Sequence, residues 1–148
     1  MTLKEFFKGD RFAALAGCEL LEIRQGYARA ELTVAEHHLN GGGFCQGGAL
    51  FTLADLAFAA AVNSHLVLTV STSSNITYFR SVPLGETVTA EATELVDHHR
   101  MPYAQVSIKD SQGRLVALFT SSGYRRQEQR LTCQPPVPQD NDPTLERP

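Results

Sequence analysis

The segment of residues 47–64 constrains the fold of this chain more than any other. It is rich in Ala and Leu, contains no proline and is apolar nearly all round, which predicts a helix. A helix without a polar face is buried on all sides, and no apolar run in the chain is expected to reach the roughly 18 residues of a membrane span. The other segments must therefore form a layer that surrounds this helix.

Most of those segments have the pattern of strands. Residues 27–34 alternate apolar and polar side chains, which is typical of a strand with one buried face. A short helical region is predicted at about 3–16. Further strands are predicted at 19–24, 66–80, 86–96, 103–110 and 114–125. One long buried helix with consecutive hairpin-linked strands indicates an α+β fold, an antiparallel sheet wrapped around the helix.

Length and composition limit the classes of protein further. The 148 residues fit one domain, which we predict at 1–126, followed at 127–148 by a mobile tail that holds five of the seven prolines. The net charge of −3 argues against a nucleic-acid partner. The three widely spaced cysteines argue against a disulfide scaffold or a zinc site. Because the start of the chain lacks a secretory signal, we expect a soluble, cytoplasmic protein with no membrane partner.

Asp55 is the only ionisable residue of the predicted helix. A charged carboxylate in an apolar helix is costly unless it has a partner, and burial raises its pKa toward the range of a general base. The alternative is an Asp on the helix surface, or one held by a local hydrogen bond. The residue alone favours neither interpretation.

Two glycines open the same helix. Backbone N–H groups at a helix N-terminus lack intrahelical partners, and a ligand can approach closely at Gly47 and Gly48. The pair is either an oxyanion hole or a tight turn. Asp55 lies about 12 Å further along the axis, so the acid and these N–H groups can act on one substrate only if they belong to two helices. This predicts a dimer with its sites at the interface.

The residues around the helix resemble a known family. Asn40 is followed at 44–55 by Phe-Cys-Gln-Gly-Gly-Ala-Leu-Phe-Thr-Leu-Ala-Asp, and Ser-Thr-Ser-Ser-Asn-Ile-Thr-Tyr-Phe-Arg stands at 71–80. From about Phe12 to Arg125 the chain resembles the hotdog-fold acyl-CoA thioesterases, in the phenylacetic-acid-degradation (PaaI-like) branch of the 4-hydroxybenzoyl-CoA thioesterase superfamily. The resemblance implies the hotdog fold and homodimers or homotetramers. It also implies hydrolysis of an acyl-CoA or aryl-CoA, such as a phenylacetyl-CoA-like or medium-chain ester, to the free acid and CoA.

The resemblance also implies catalytic roles. Asp55 is the expected nucleophile or general base, and the N–H of Gly47 the expected oxyanion donor. Asn40 and Ser71 are expected to position the substrate or the water. Gln46 stands where the family pattern usually has His, and we expect it to orient the reactants, since it forms hydrogen bonds but does not titrate near neutrality.

Substrate binding is expected at Gly48, Phe79 and Arg80, with no metal and no cofactor besides the CoA of the substrate. Gln46 leaves an alternative open, a hotdog module that binds acyl-CoA without hydrolysing it. A hydratase or dehydratase is disfavoured, because members of those branches pair an acid with the motif His.

Other residues point less clearly to chemistry. The histidine pairs at 37–38 and 98–99 chelate poorly and are expected to be solvated. Cys45 is expected to be a buried thiol, and residues 41–48 lack the Gly-Lys-Ser/Thr ending of a P-loop. Four arginines are either ligands of the CoA phosphates or surface charges: Arg80, Arg100, Arg125 and Arg126. Four phenylalanines line either an acyl pocket or the core: Phe44, Phe51, Phe58 and Phe79.

Overall fold

The computed structural model of the protein describes residues 1–138, 146 and 148. Three α-helices lie in the first half of the chain, α1 (Leu3–Phe7), α2 (Arg11–Leu15) and α3 (Gly47–Val62). The six strands are β1 (Glu19–Arg24), β2 (Tyr27–Thr33), β3 (Val67–Tyr78), β4 (Thr87–Val96), β5 (Tyr103–Lys109) and β6 (Leu115–Arg130). Each strand lies close to its predicted position.

The strands form a single antiparallel sheet in the order β1-β2-β4-β5-β6-β3, with α3 packed against it. The inner face is made of small residues opposite one another, such as Ala30 opposite Ala90 and Ala92 opposite Val106. Small side chains let the alanine-rich α3 approach the sheet closely and bury its own Leu53 and Phe58. The predicted α+β hotdog fold is confirmed.

The stretch around the central helix has the length and hydropathy of a membrane span, which the sequence analysis did not expect. The stretch Gly47–His65 has 19 residues and is long and apolar enough to cross a membrane by length and composition alone. The expectation that no run reaches this length was therefore wrong. Since 61% of its most apolar window is buried inside the structure, the stretch has the burial of a core helix.

The N-terminal region is two short helices where one was predicted. The side chain of Asp10 accepts a hydrogen bond from the N–H of Ala13 at 2.9 Å and so starts a new helix there. Ala13 is buried in the core, whereas Phe12 and Leu15 face outward. The chain therefore presents two large apolar side chains beside the start of α3.

The last strand runs past the predicted domain boundary. β6 continues to Arg130, because Val67 at the start of β3 pairs with it. Beyond the strand, the carbonyl oxygen of Val137 accepts a hydrogen bond from the N–H of Gln25 at 3.0 Å. The mobility of the tail stays a prediction, and residues 139–145 and 147 lie outside the described residues.

Candidate active site

Gln46 caps the start of α3. Its backbone is extended, and its Oε1 accepts a hydrogen bond from the N–H of Gly48 at 2.9 Å. Its own N–H donates to the carbonyl oxygen of His38 at 2.8 Å. Among the hydrogen bonds of residues 1–138, 146 and 148, none uses the N–H of Gly47. One backbone donor at the helix N-terminus is thus free to meet a ligand, while that of Gly48 is already taken.

Gly47 is also in close contact with Tyr78 at the end of β3. The hydroxyl of Tyr78 donates to the carbonyl oxygen of Gly47 at 2.8 Å. A Cβ atom at position 47 would lie 2.9 Å from the tyrosine ring, so any larger residue must displace that ring. The first glycine of the pair therefore meets a steric requirement, and a plain tight turn does not account for it.

Asn40 closes the loop that leads to the helix. Its Oδ1 accepts hydrogen bonds from the N–H groups of Gly42 at 2.9 Å and Phe44 at 3.2 Å. Its backbone N–H donates to the carbonyl oxygen of Phe44 at 2.7 Å. Since the side-chain oxygen is engaged within the loop, only the Nδ2 group is left to point toward a substrate.

His38 is buried, not solvated as the sequence predicted, and is only 6% exposed. Its Nδ1 accepts from the N–H of Ala35 at 2.8 Å, so Nε2 carries a proton and donates to the carbonyl oxygen of Ala16 at 2.5 Å. The ring thereby joins the end of α2 to the loop that carries Gln46. Its partners lie 3 and 22 residues away, and no local sequence pattern signals the more distant one.

A cavity of about 640 Å³ opens beside the start of α3. It lies between α2, the loop at 37–41 and the first turns of α3. The predicted site residues Asn40, Gln46 and Gly48 line it, together with Phe12, Leu15 and Thr52. Sequence reasoning did not assign Phe12 or Leu15 to the site, because no local motif marks them.

Asp55 lies half-buried in the middle of α3. Burial raises the pKa of this carboxyl above its ordinary value of 3.8, although a hydrogen bond from Ser71 opposes the shift. The Oγ of Ser71 donates to Oδ1 of Asp55 at 3.4 Å, across the gap from β3 to the helix. The structure brings the two residues together, and the raised pKa makes this carboxylate a stronger proton acceptor than an exposed one.

The acid and the cavity do not meet within one chain. Asp55 and Ser71 are not among the residues that line the cavity, whereas Gln46 and Gly48 are. The eight residues from Gly47 to Asp55 span about 12 Å along a straight helix. A site that uses both groups therefore needs the acid of a second copy.

Phe79 and Arg80 lie just past β3, outside the cavity lining. Both side chains are exposed, and their N–H groups donate to the carbonyl oxygen of Val116. Of the other phenylalanines, Phe58 is buried against Phe119, and Phe51 packs on the same ring. Phe51 and Phe58 thus belong to the core, while the predicted binding role of Phe79 and Arg80 stays a prediction.

Arg125 is neither a phosphate ligand nor a surface charge, the two roles the sequence had left open. It is 5% exposed, and its guanidinium donates to Glu94 and to Asp97, each at 2.8 Å. Nε2 of His65 lies 2.6 Å from the other oxygen of Glu94. Atoms of His65, Glu94 and Asp97 lie within 4.8 Å of one another, close enough for a metal ion. Because the guanidinium already joins both carboxylates, we interpret the cluster as an ion-pair network.

Cys45 is buried in the core beside α3, as predicted. Burial raises the pKa of its thiol, so the thiolate that a nucleophile requires is disfavoured. The structure therefore does not favour Cys45 as a nucleophile.

Comparison with known proteins identifies the family of the chain. The family model described as the thioesterase superfamily matches residues 42–117. A protein of Archaeoglobus fulgidus is 38% identical over 122 residues, which cover 82% of this chain and 79% of that one. The acyl-coenzyme A thioesterase PaaI of Escherichia coli K12 is 33% identical over 119 residues, covering 80% of this chain and 85% of its own.

Solved structures agree with the fold. The structure of E. coli PaaI, a protein of the phenylacetic acid degradation operon, superposes with a TM-score of 0.82 at 31% identity, over 86% of this chain and 92% of that one. A structure described as a hypothetical thioesterase protein with coenzyme A, from Streptococcus pneumoniae TIGR4, has a TM-score of 0.76 at 26% identity. It covers 84% of this chain and 98% of its own.

The long helix wrapped by an antiparallel sheet is the hotdog fold that the chain shares with the E. coli PaaI structure, and the matching family model makes it a hotdog-fold thioesterase. The chain belongs to the thioesterase superfamily, in its PaaI-like branch. The family, the fold and the enzyme class predicted from the sequence are therefore confirmed.

Proposed function

We propose that the protein hydrolyses the thioester bond of an acyl-CoA or aryl-CoA to the free acid and CoA. The free N–H of Gly47, at a helix start beside a cavity, carries the proposal, since it is the donor that a developing oxyanion needs. The raised pKa of Asp55 adds a proton acceptor. The coenzyme A in the S. pneumoniae structure supports the choice of a CoA ester.

In the reaction, Asp55 acts in one of two ways. As a general base, it takes a proton from water while the hydroxyl oxygen bonds to the thioester carbon. As a nucleophile, its oxygen bonds to that carbon and water later cleaves the mixed anhydride. In both, the carbonyl oxygen becomes negative and accepts a hydrogen bond from Gly47, and the C–S bond then breaks. The CoA sulfur takes up the proton that Asp55 removed from water or, on the nucleophilic route, a proton from solvent.

Ser71, Asn40 and Gln46 position these groups. Ser71 donates to Asp55 and so holds the carboxylate in one orientation. Asn40 closes the loop and keeps its Nδ2 group for the substrate. Gln46 fixes the helix start with an oxygen acceptor, a task that needs no titratable group. We assign Gly48, Phe79 and Arg80 to binding of the CoA portion, and the mechanism uses no metal or further cofactor.

The active form is a homodimer or homotetramer with its sites between subunits. Asp55 of one chain then faces Gly47 of the next, which removes the separation of about 12 Å on a single helix. β3 supports this assembly, because it is a 12-residue strand at an edge of the sheet and most of its side chains are exposed. We place the protein in the cytoplasm.

Release of CoA from a panel of acyl-CoA and aryl-CoA esters tests the function. We expect turnover by the wild type and a loss of at least about a hundredfold in kcat for Asp55→Ala. Asp110→Ala, which changes a carboxylate in a distant turn, is the matched control and should retain activity. Equal turnover by wild type and Asp55→Ala would contradict the mechanism.

The second candidate is a module that binds acyl-CoA without hydrolysing it. Gln46 favours it, because the family pattern has His at that position. Binding of CoA esters by the wild type with no CoA released from any of them would establish this alternative. Gln46→His would then be the variant expected to gain turnover.

A further inference from the structure

We infer that Tyr78, at the end of β3, is a positioning residue for the reaction, because its hydroxyl holds the peptide group between Gly47 and Gly48 and so fixes the direction of the Gly47 N–H. This inference rests on the proposed function, in which that N–H is the oxyanion donor. It adds to the site a residue from the far end of a neighbouring strand. Its basis is a pair of hydrogen bonds that end on one peptide group.

The peptide group between Gly47 and Gly48 is held at both ends. Its carbonyl oxygen accepts a hydrogen bond from the hydroxyl of Tyr78 at 2.8 Å, and its N–H donates to Oε1 of Gln46 at 2.9 Å. The two partners belong to different parts of the fold, since Gln46 precedes α3 and Tyr78 ends β3. The peptide group cannot rotate without breaking one of these bonds, because a hydrogen bond weakens steeply when it is misaligned.

Gly47 needs this restraint because glycine has more backbone freedom than any other residue. The N–H of Gly47 lies on the preceding peptide group, so its direction relative to the held carbonyl depends on the two free dihedral angles of the glycine. A side chain would restrict them, but a Cβ atom at position 47 would lie 2.9 Å from the hydroxyl oxygen of Tyr78. The tyrosine thus excludes a side chain there and provides a hydrogen bond in its place.

Tyr78 is itself anchored and is present as a donor. Its backbone pairs with Ala117 of β6, and the N–H of the next residue, Phe79, donates to the carbonyl oxygen of Val116 at 2.7 Å. Because a carbonyl oxygen only accepts hydrogen bonds, the hydroxyl must keep its proton to hold Gly47. Burial raises the pKa of Tyr78 above its ordinary value of 10.0, so the proton is retained at neutral pH.

A fixed direction of the N–H matters most when charge develops on the substrate. A neutral thioester carbonyl accepts a weaker hydrogen bond than the oxyanion does, since bonds to charged groups are about twice as strong. An N–H that varies in direction therefore lowers kcat and has little effect on KM. Direct contact of Tyr78 with the bound substrate would instead change KM.

The test is Tyr78→Phe, which removes the hydroxyl and keeps the ring. We expect kcat for CoA release to fall about tenfold, with KM within about twofold of the wild-type value. Tyr27→Phe is the matched control, because the hydroxyl of Tyr27 also donates at 2.8 Å, to Glu91, and joins β2 to β4. It should leave kcat unchanged, so the loss of a tyrosine hydrogen bond is separated from the loss of positioning. Circular dichroism checks that both variants fold.

Amide hydrogen exchange of Gly48, followed by NMR on protein labelled with ¹⁵N-glycine, tests the same contact without any turnover. The exchange rate should rise at least about fivefold in Tyr78→Phe and stay unchanged in Tyr27→Phe. If the wild type released no CoA, the proposed function would fail, and faster exchange in Tyr78→Phe would still support the hold on the peptide group. An unchanged exchange rate, an unchanged kcat in an active enzyme, or a rise in KM with kcat unchanged would overturn the inference.

Discussion

The N–H of Gly47 can be removed by a residue whose backbone suits the start of α3, although its Cβ atom must displace the ring of Tyr78. Proline suits the first position of a helix, and the extended backbone of Gln46 before it is the conformation that a following proline requires. Gly47→Pro should therefore lower kcat by about 10²–10³ relative to Gly47→Ala, by loss of the oxyanion donor. Steady-state CoA release by both variants measures the difference.

Gly47→Ala is the control because both variants place a Cβ atom against the ring of Tyr78, and only proline lacks the N–H. The displacement of the ring by the Cβ atom is common to the two. If they have the same kcat, the N–H of Gly47 is not the oxyanion donor.

The ionisation of Asp55 should set the acid limb of the pH profile. A base must be ionised, so kcat/KM should rise with pH through the pKa of Asp55, which burial places above 3.8. The hydrogen bond from Ser71 favours the charged form and lowers this pKa. Ser71→Ala should therefore move the acid limb to higher pH, as measured by kcat/KM against pH. Ser111→Ala, in the turn after β5, should leave the limb in place, and a limb that moves to lower pH in Ser71→Ala would contradict the assignment.

Among the elements, the ion-pair network holds four segments together. His65 follows α3, Glu94 lies on β4, Asp97 follows that strand and Arg125 lies on β6. Arg125→Met should lower the free energy of unfolding by about 3–5 kcal/mol, because it leaves the fully buried Glu94 without its cation. Urea unfolding followed by circular dichroism measures this loss.

Arg126→Met is the control, since the neighbouring Arg126 is exposed and should contribute less than about 1 kcal/mol. Burial already raises the pKa of Glu94 above 4.5, and loss of Arg125 raises it further. A carboxyl with a raised pKa destabilises the fold as pH rises, so the deficit of Arg125→Met should shrink as pH falls toward 4.5. A deficit that grows in acid would contradict the network.

The elements that the sequence predicts are those defined by neighbours along the chain. The alanine-rich run gives α3, and the alternation at 27–34 gives β2, because periodicity is a local signal. The free N–H of Gly47 follows in the same way from its place at a helix start. The burial of His38 and Arg125 was not predicted, because their hydrogen-bond partners lie 22 to 31 residues away in the sequence. The place of Phe12 and Leu15 beside α3 was not predicted either, because only the tertiary structure creates it.

At the scale of the whole molecule, a shared site can be tested by mixing two inactive chains. Asp55→Ala lacks the acid and Gly47→Pro lacks the donor, so neither homodimer has a complete site. A mixed dimer has one complete site, made by the Asp55 of one chain and the Gly47 of the other. Co-refolding equal amounts should restore about a quarter of wild-type activity, since half of the dimers are mixed and each has one site of two.

Refolding each variant alone is the control and should restore no activity. A mixture as inactive as its components, with mixed dimers demonstrated by mass spectrometry, would place both groups of a site on one chain.

The cap on α3 has a consequence for how such enzymes diverge. Gln and His differ by a single base in the genetic code, so one point mutation converts the amide at position 46 into an imidazole. Capping of the helix requires only that the side chain at position 46 accept a hydrogen bond from the N–H of Gly48. Both Gln and neutral His have an acceptor atom. A lineage can therefore gain or lose a titratable group at the start of α3 in one step, with the cap on the helix retained.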